Sequence, residues 1–253
     1  GVRSYTWAPG FGAERHLSRH LAVGFAMSLL ESHQTYTSGL GTLDMEGIAT
    51  SAYASYVTRS FWVDVLYSFG RLSLDSERNA TGFPVAIGST TAWTHAVQLN
   101  TGWNFRFQDD TLVTGPSAGV DYLNVAVDGY TESGGGIGAL AYGNRSTDSL
   151  VTRIGWSVSK RFETDIGSIT AQLRLGYERQ NISKNNGTSV NLINQPFSTT
   201  STSQSPGQDY LVAGASLDFQ LSPTLSLQLN YQGQFFRENL QAHFGGVRLS
   251  FIF

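Results

Sequence analysis

Apolar and polar residues alternate with a period of two along most of the chain, the signature of β-strands with one face wet and one face dry. The segment 92–107 is the cleanest case. Trp93, Val97, Leu99, Trp103, Phe105 and Phe107 fall on one face, and Thr94, Gln98, Asn100, Gly102, Asn104 and Arg106 on the other. The same alternation predicts strands over 4–14, 21–29, 61–70, 149–162, 167–180, 208–221, 224–236 and 243–253. Two stretches are less regular. In 42–57 the rings of Tyr53 and Tyr56 fall on opposite faces, and in 111–130 the apolar set changes face near Tyr122 and Leu123, which predicts a bulge there.

Alternation alone fits a soluble sandwich as well as a membrane barrel. Three features favour the membrane barrel. The apolar faces are long and carry Trp and Phe near their ends, where aromatic girdles sit. The opposite faces hold glycine, small polar residues and charges of both signs, as a polar lumen does. Connections alternate between short (Ser18–His20, Thr58–Ser60, Gln108–Asp110, Glu163–Ile166, Ser222–Pro223) and long (33–41, 78–90, 131–148, 182–207, 236–241), as on the two sides of a membrane. The 182–207 segment, rich in Asn, Ser, Thr and Gln, reads as a mobile surface loop. The expected architecture is all-β: one transmembrane antiparallel β-barrel over residues 1–253, with eleven strands in view.

Eleven is an awkward number. The first and last strands of an odd antiparallel set run parallel, whereas bacterial outer-membrane barrels have even strand numbers. The expectation is a twelfth strand upstream of Gly1. An extra strand at Ile137–Gly143, or completion of the barrel by another chain, are the alternatives.

Composition agrees with a lipid-solvated protein. Of the 253 residues, 40% are hydrophobic, 12% aromatic and only 14% charged, against about a quarter charged in soluble domains. A net charge of −3 with no basic run argues against a nucleic-acid partner. With no cysteine, thiolate metal sites and cysteine nucleophiles are excluded. The five histidines show no metal-ligand spacing, so neither metal nor cofactor is expected. The longest apolar stretch, Leu21–Leu30, falls far short of the ~20 residues of a membrane helix.

Candidate chemistry is sparse. Gly115–Pro116–Ser117–Ala118–Gly119 matches the nucleophile-elbow pattern, but it lies inside a strand with no helix after it, so it is not read as catalytic. Gly134–Gly135–Gly136–Ile137–Gly138 reads as loop flexibility. The inward charges Asp64, Arg106, Asp121, Arg153, Arg161, Arg174, Glu178, Asp218 and Arg248 are the candidate pore-lining residues. Individually they read as ion pairs that keep a wet lumen in shape.

In order and spacing, the chain resembles the autotransporter β-domain, the translocator barrel of type V secretion. The resemblance rests on Leu21–Phe25, Gly47 with Tyr53–Tyr56, Phe61–Asp64 with Tyr67–Gly70, Gly115–Tyr122, Tyr130–Gly134 and the ending Gly245–Phe251. It implies a twelve-stranded barrel in the outer membrane of a Gram-negative bacterium, with a pore helix upstream of this chain. It further implies a role as anchor and conduit for an N-terminal passenger, without enzyme activity. The implied partners are outer-membrane lipid and lipopolysaccharide, the chain's own passenger or linker helix, and the barrel-assembly machinery. The last would read Val247, Leu249, Phe251 and Phe253 as an assembly signal. A small porin or adhesin barrel is the alternative, and a barrel hydrolase a weaker one.

Overall fold

In the computed structural model, residues 2–37, 39–165, 167–185, 187–193, 198–201, 208–238 and 240–251 are described. They form one strongly curled antiparallel sheet. Its strands are β1 (Val2–Trp7 continuing as Gly10–His16), β2 (Leu21–Tyr36), β3 (Gly41–Val57), β4 (Phe61–Arg78) and β5 (Ala86–Trp103 continuing as Phe105–Phe107). There follow β6 (Leu112–Val127), β7 (Arg145–Thr164), β8 (Gly167–Asn185), β9 (Asp209–Ser222), β10 (Leu225–Phe235) and β11 (Ala242–Phe251). Each pairs with its sequence neighbour, so every connection is a hairpin.

The two interrupted strands keep their register across the break. Trp7 faces Glu31 and Gly10 faces Ser28, and only Ala8–Pro9 drop out of the ladder. Proline has no N–H to donate there. On the other edge, β11 ends with Phe251 opposite Leu225, at the short-connection end. β1 also runs toward that end, because Val2 faces Tyr36 and His16 faces Ala22. The two edge strands are therefore parallel, and among the described residues they do not pair with each other.

Strands are longer than the alternation predicts. β4 has 18 residues and β7 has 20, well beyond the 9–11 that cross a bilayer. The extra length lies at the long-connection end, where polar pairs such as Ser76 with Gly88 and Asp44 with Asp75 continue the ladder. Ladder hydrogen bonding needs no apolar face, so the hydrophobic pattern stops before the strand does.

The convex face carries the large exposed apolar side chains, among them Phe25, Leu29, Val97, Leu99, Ile154, Trp156, Leu173 and Leu175. The concave face carries the small, polar and charged residues. The bulge expected at Tyr122–Leu123 is absent: β6 keeps an unbroken register with β7 from Leu112 to Val127. What changes there is the concave face, where Leu43, Met45, Leu72, Leu74, Ala92, Val125 and Val127 build a small apolar cluster. The apolar pattern switches faces because the inner wall turns apolar. The register shifts lie elsewhere, opposite Leu150–Val151 and at Gln220–Ser222.

Two of the long connections are structured. Tyr130–Thr131, Leu140–Tyr142, Thr188–Leu192 and Ser198–Ser201 make a second, four-stranded sheet. This corrects the reading of 182–207 as a mobile loop throughout; positions 194–197 and 202–207 lie outside the described residues. Leu140–Tyr142 is a strand of this small sheet, so Ile137–Gly143 does not supply a twelfth strand of the large one. The glycine run is also more than a flexible tether. Gly134, Gly135 and Gly136 all have positive φ (83°, 32°, 57°), and a Cβ on Gly134 would come within 2.4 Å of the Val85 carbonyl oxygen. They make a turn that few other residues tolerate.

Candidate functional site: the inner wall of the barrel

Register places all nine charges expected to face inward on the concave face, but it gives them different company. At mid-height Arg153 of β7 lies between two carboxylates. Its Nη2 donates to Asp121 of β6, its Nε to Glu178 of β8 at 3.1 Å, and its Nη1 to the Asn100 carbonyl oxygen at 2.7 Å. Gly119 makes this possible, since a Cβ there would lie 2.4 Å from Asn100 Oδ1. The belt continues through Tyr210, over whose ring the Arg237 guanidinium sits at 4.2 Å. Arg237 in turn donates to Gln180 at 2.7 Å and Gln234 at 3.0 Å.

The other predicted positions are dispersed. Asp64 accepts a 2.5 Å hydrogen bond from Ser55. Arg106 sits by a short turn and donates to the Arg59 carbonyl at 2.8 Å. Arg161 pairs with Glu163 at 2.7 Å, both well exposed near the same end. Arg248 faces Gln228 and acts electrostatically on the Tyr53 hydroxyl, which donates to Glu14 at 2.8 Å. That hydrogen bond joins β1 to β3 on the concave face. Asp218 lies between Thr170 and Gln228. Arg174 lines a polar cavity of about 260 Å³ with Gln172, Ser216, Gln228, Asn230 and Gln232.

The alternation did not single out the most enclosed ion pair. Glu132, in the β6–β7 connection, has a side chain only 2% exposed and takes two contacts from Arg78 of β4, Nε–Oε1 at 2.8 Å and Nη2–Oε2 at 2.6 Å. The Leu140 N–H donates to Glu132 at 2.9 Å, and Arg78 also donates to the Gly138 carbonyl at 2.7 Å. Burial pushes the Glu132 carboxyl up, but Arg78 and the Leu140 N–H outweigh it and hold it below the usual carboxylate value. Burial and the Glu132 charge push the Tyr142 phenol up to about 12.

These contacts fold the connection inward over β5. Ser133–Gly134 pair with Ala86–Ile87, and the Tyr130 ring packs onto Gly88, where a Cβ would lie 2.2 Å away. Tyr130 stacks on Tyr142 at 4.7 Å. Between this strap and the apolar cluster lies a cavity of about 550 Å³, lined by Leu43, Leu74, Arg78, Tyr130, Glu132 and Tyr142 among others. In sequence, a lone glutamate in a glycine-rich loop and an arginine beyond the apolar pattern gave no sign that they meet.

Ser117 of the G-x-S-x-G match lies on the concave face opposite Gly102 and Gly155, away from any histidine in its register. Val247, Leu249 and Phe251 of the expected assembly signal point outward, 73%, 55% and 64% exposed; Phe253 lies outside the described residues.

The model of the autotransporter β-domain family matches residues 1–232. Among solved structures, the chain is similar to the translocator domain of autotransporter NalP from Neisseria meningitidis. The TM-score is 0.78 at 17% identity, covering 100% of this chain and 80% of that one. It is also similar to the β-domain of the Bordetella autotransporter BrkA (TM-score 0.72, 15% identity, 99% and 92% covered). The transport unit of AIDA-I from Escherichia coli is more distant (TM-score 0.56, 8% identity, 100% and 84% covered). No curated protein sequence matches significantly.

Proposed function

Because the chain belongs to the autotransporter β-domain family, we propose that its concave face is the wall of the lumen through which a passenger is carried to the cell surface. Membership of this family supports the Gram-negative outer membrane as its location and transport and anchoring as its role. The observation that supports a conduit is the division of the two faces. Apolar residues cover the convex face, whereas on the concave one Arg153 is shared between Asp121 and Glu178. Paired charges hold water in a lumen without binding a passing chain tightly.

The convex face supports the lipid partner. Toward the long-connection end, Arg71 lies over the Trp93 ring at 5.1 Å, an arrangement suited to the interface where outer-leaflet lipid or lipopolysaccharide headgroups begin. The exposed edge of β11, with Val247, Leu249 and Phe251 on its apolar side, suits capture by strand addition, and we assign the barrel-assembly machinery as the partner.

A reporter passenger joined ahead of the domain tests this reading in intact Gram-negative cells. Export is expected to make the reporter sensitive to added protease while the barrel stays heat-modifiable in the membrane fraction. A correctly inserted barrel that leaves the reporter inside the cell would refute it and favour the porin alternative.

A further inference from the structure

The inner wall is uneven, and the difference is chemical. On β5 to β8 the polar groups are committed, with Arg153 shared among Asn100, Asp121 and Glu178. At the long-connection end of β3 to β6 the wall is apolar and roofed by the strap. On β8 to β10 it is a patch of carboxamides around the 260 Å³ cavity. Among the described residues, Gln228, Asn230 and Gln232 make no side-chain hydrogen bond, and Gln172 makes one long one, 3.4 Å from Ser216. Arg174 beside them has no ion pair among the described residues, and Gly214 and Ser216 leave the space in front of the patch open.

We propose that Gln172, Gln228, Asn230 and Gln232 form the surface against which an extended polypeptide crosses the lumen, hydrogen-bonded through its backbone. A carboxamide carries the same donor and acceptor as a peptide group, so this patch can serve backbone N–H and C=O of any sequence. The four carboxamides themselves carry no charge, so they do not select acidic or basic segments; the Arg174 guanidinium at the side of the cavity is the charged group nearest to them. Side chains on β8, β9 and β10 lie in adjacent register (Gln172 by Ser216, Ser216 by Asn230, Gly214 by Gln232), so the amides present a two-dimensional array rather than a single point. Where a passing chain presses against this wall it exchanges hydration for partners of equal kind, and a covered backbone group without one is costly. The proposal rests on the translocator reading and names the contact surface within it.

Photo-crosslinking in intact cells, with a passenger stalled in transit by a folded insert, tests it. With p-benzoylphenylalanine introduced at Gln228 or Gln232, crosslinks to many successive passenger positions are expected. At Leu66, on the inner face of β4, few are expected. A triple variant Gln228→Leu, Asn230→Leu, Gln232→Leu is expected to slow reporter display roughly fivefold or more, while Gln228→Asn with Gln232→Asn stays near the wild-type rate. Heat-modifiable mobility confirms that each variant barrel is folded, and the crosslinks decide the matter if the triple variant is not. Equal crosslinking at Leu66, crosslinks to one fixed segment only after export is complete, or wild-type display by the folded triple variant would each overturn the proposal. Failure of the unaltered barrel to display any reporter would instead overturn the translocator reading beneath it.

Discussion

Arg78 and Glu132, separated by 54 positions, meet in a two-pronged ion pair at 2.8 and 2.6 Å that fastens the β6–β7 connection to the long-connection end of β4. The pair spans β5 and holds the strap together with the short ladder at Ala86–Ile87 and the packing of Tyr130 on Gly88. Removing Arg78 leaves the Glu132 carboxylate, 2% exposed, without its countercharge, which costs about 3–5 kcal/mol when burial is complete and less here, since the Leu140 N–H still donates to it. Arg78→Met is therefore expected to release the strap while the barrel stays folded. Faster amide exchange confined to 130–142, with unchanged protection in β3 and β4, would be the signature. Uniform loss of protection would show that the pair supports the whole barrel.

The strap should also respond to pH at both extremes. The Glu132 carboxyl is held below its ordinary value, so its contribution is present above that value and is lost as pH falls through the depressed one. The Tyr142 phenol is raised to about 12. Its contribution is complete below the ordinary tyrosine value near 10 and is lost as pH rises toward 12. Protection at 130–142, taken relative to the intrinsic exchange rate at each pH, should be greatest between these limits. In Glu132→Gln the acid limb should vanish while the alkaline limb remains; persistence of the acid limb would assign it to another carboxylate.

Most of the large sheet was legible because lipid on one side and water on the other impose a strict period of two. The pattern located eleven strands and, for all but 42–57 and 111–130, the side each faces, down to Ile154 outward and Arg153 inward. It failed where that solvent contrast ends. Above the membrane β4 continues to Arg78 without an apolar face, and inside the barrel Val125 and Val127 mimic a bulge by packing inward. The Arg78–Glu132 clasp depends on a chain reversal through three positive-φ glycines, and no local periodicity encodes which distant strand such a turn meets.

The two faces predict opposite responses to the same kind of charge. Ile154 on β7 is 64% exposed on the convex face, so Ile154→Arg should cost about 2–4 kcal/mol at mid-bilayer. Gln98 lies on the concave face in register with Asp121, whose Oδ1 has no hydrogen-bond partner. Gln98→Lys is expected to be neutral or mildly stabilising. Unfolding in urea from lipid bilayers measures both. A penalty for Gln98→Lys as large as that for Ile154→Arg would contradict the assignment of faces.

The G-x-S-x-G match on β6 offers a sharper test of structure against chemistry. Gly115 is buried, and a Cβ there would lie 1.7 Å from the Trp103 carbonyl oxygen, where β5 breaks before Asn104. Backbone cannot yield as a flexible side chain does, so Gly115→Ala is expected to cost about 1–3 kcal/mol through overpacking, with loss of heat-modifiable mobility at a lower temperature. Ser117 makes no comparable demand. Its hydroxyl faces the lumen between Gly102 and Gly155, and Ser117→Ala should leave both folding and reporter display at wild-type levels. A nucleophile would show the reverse order, with Ser117→Ala silent in stability but abolishing any release of the passenger from the cell surface. The motif is thus read as a glycine needed for strand packing two residues from a serine that faces water.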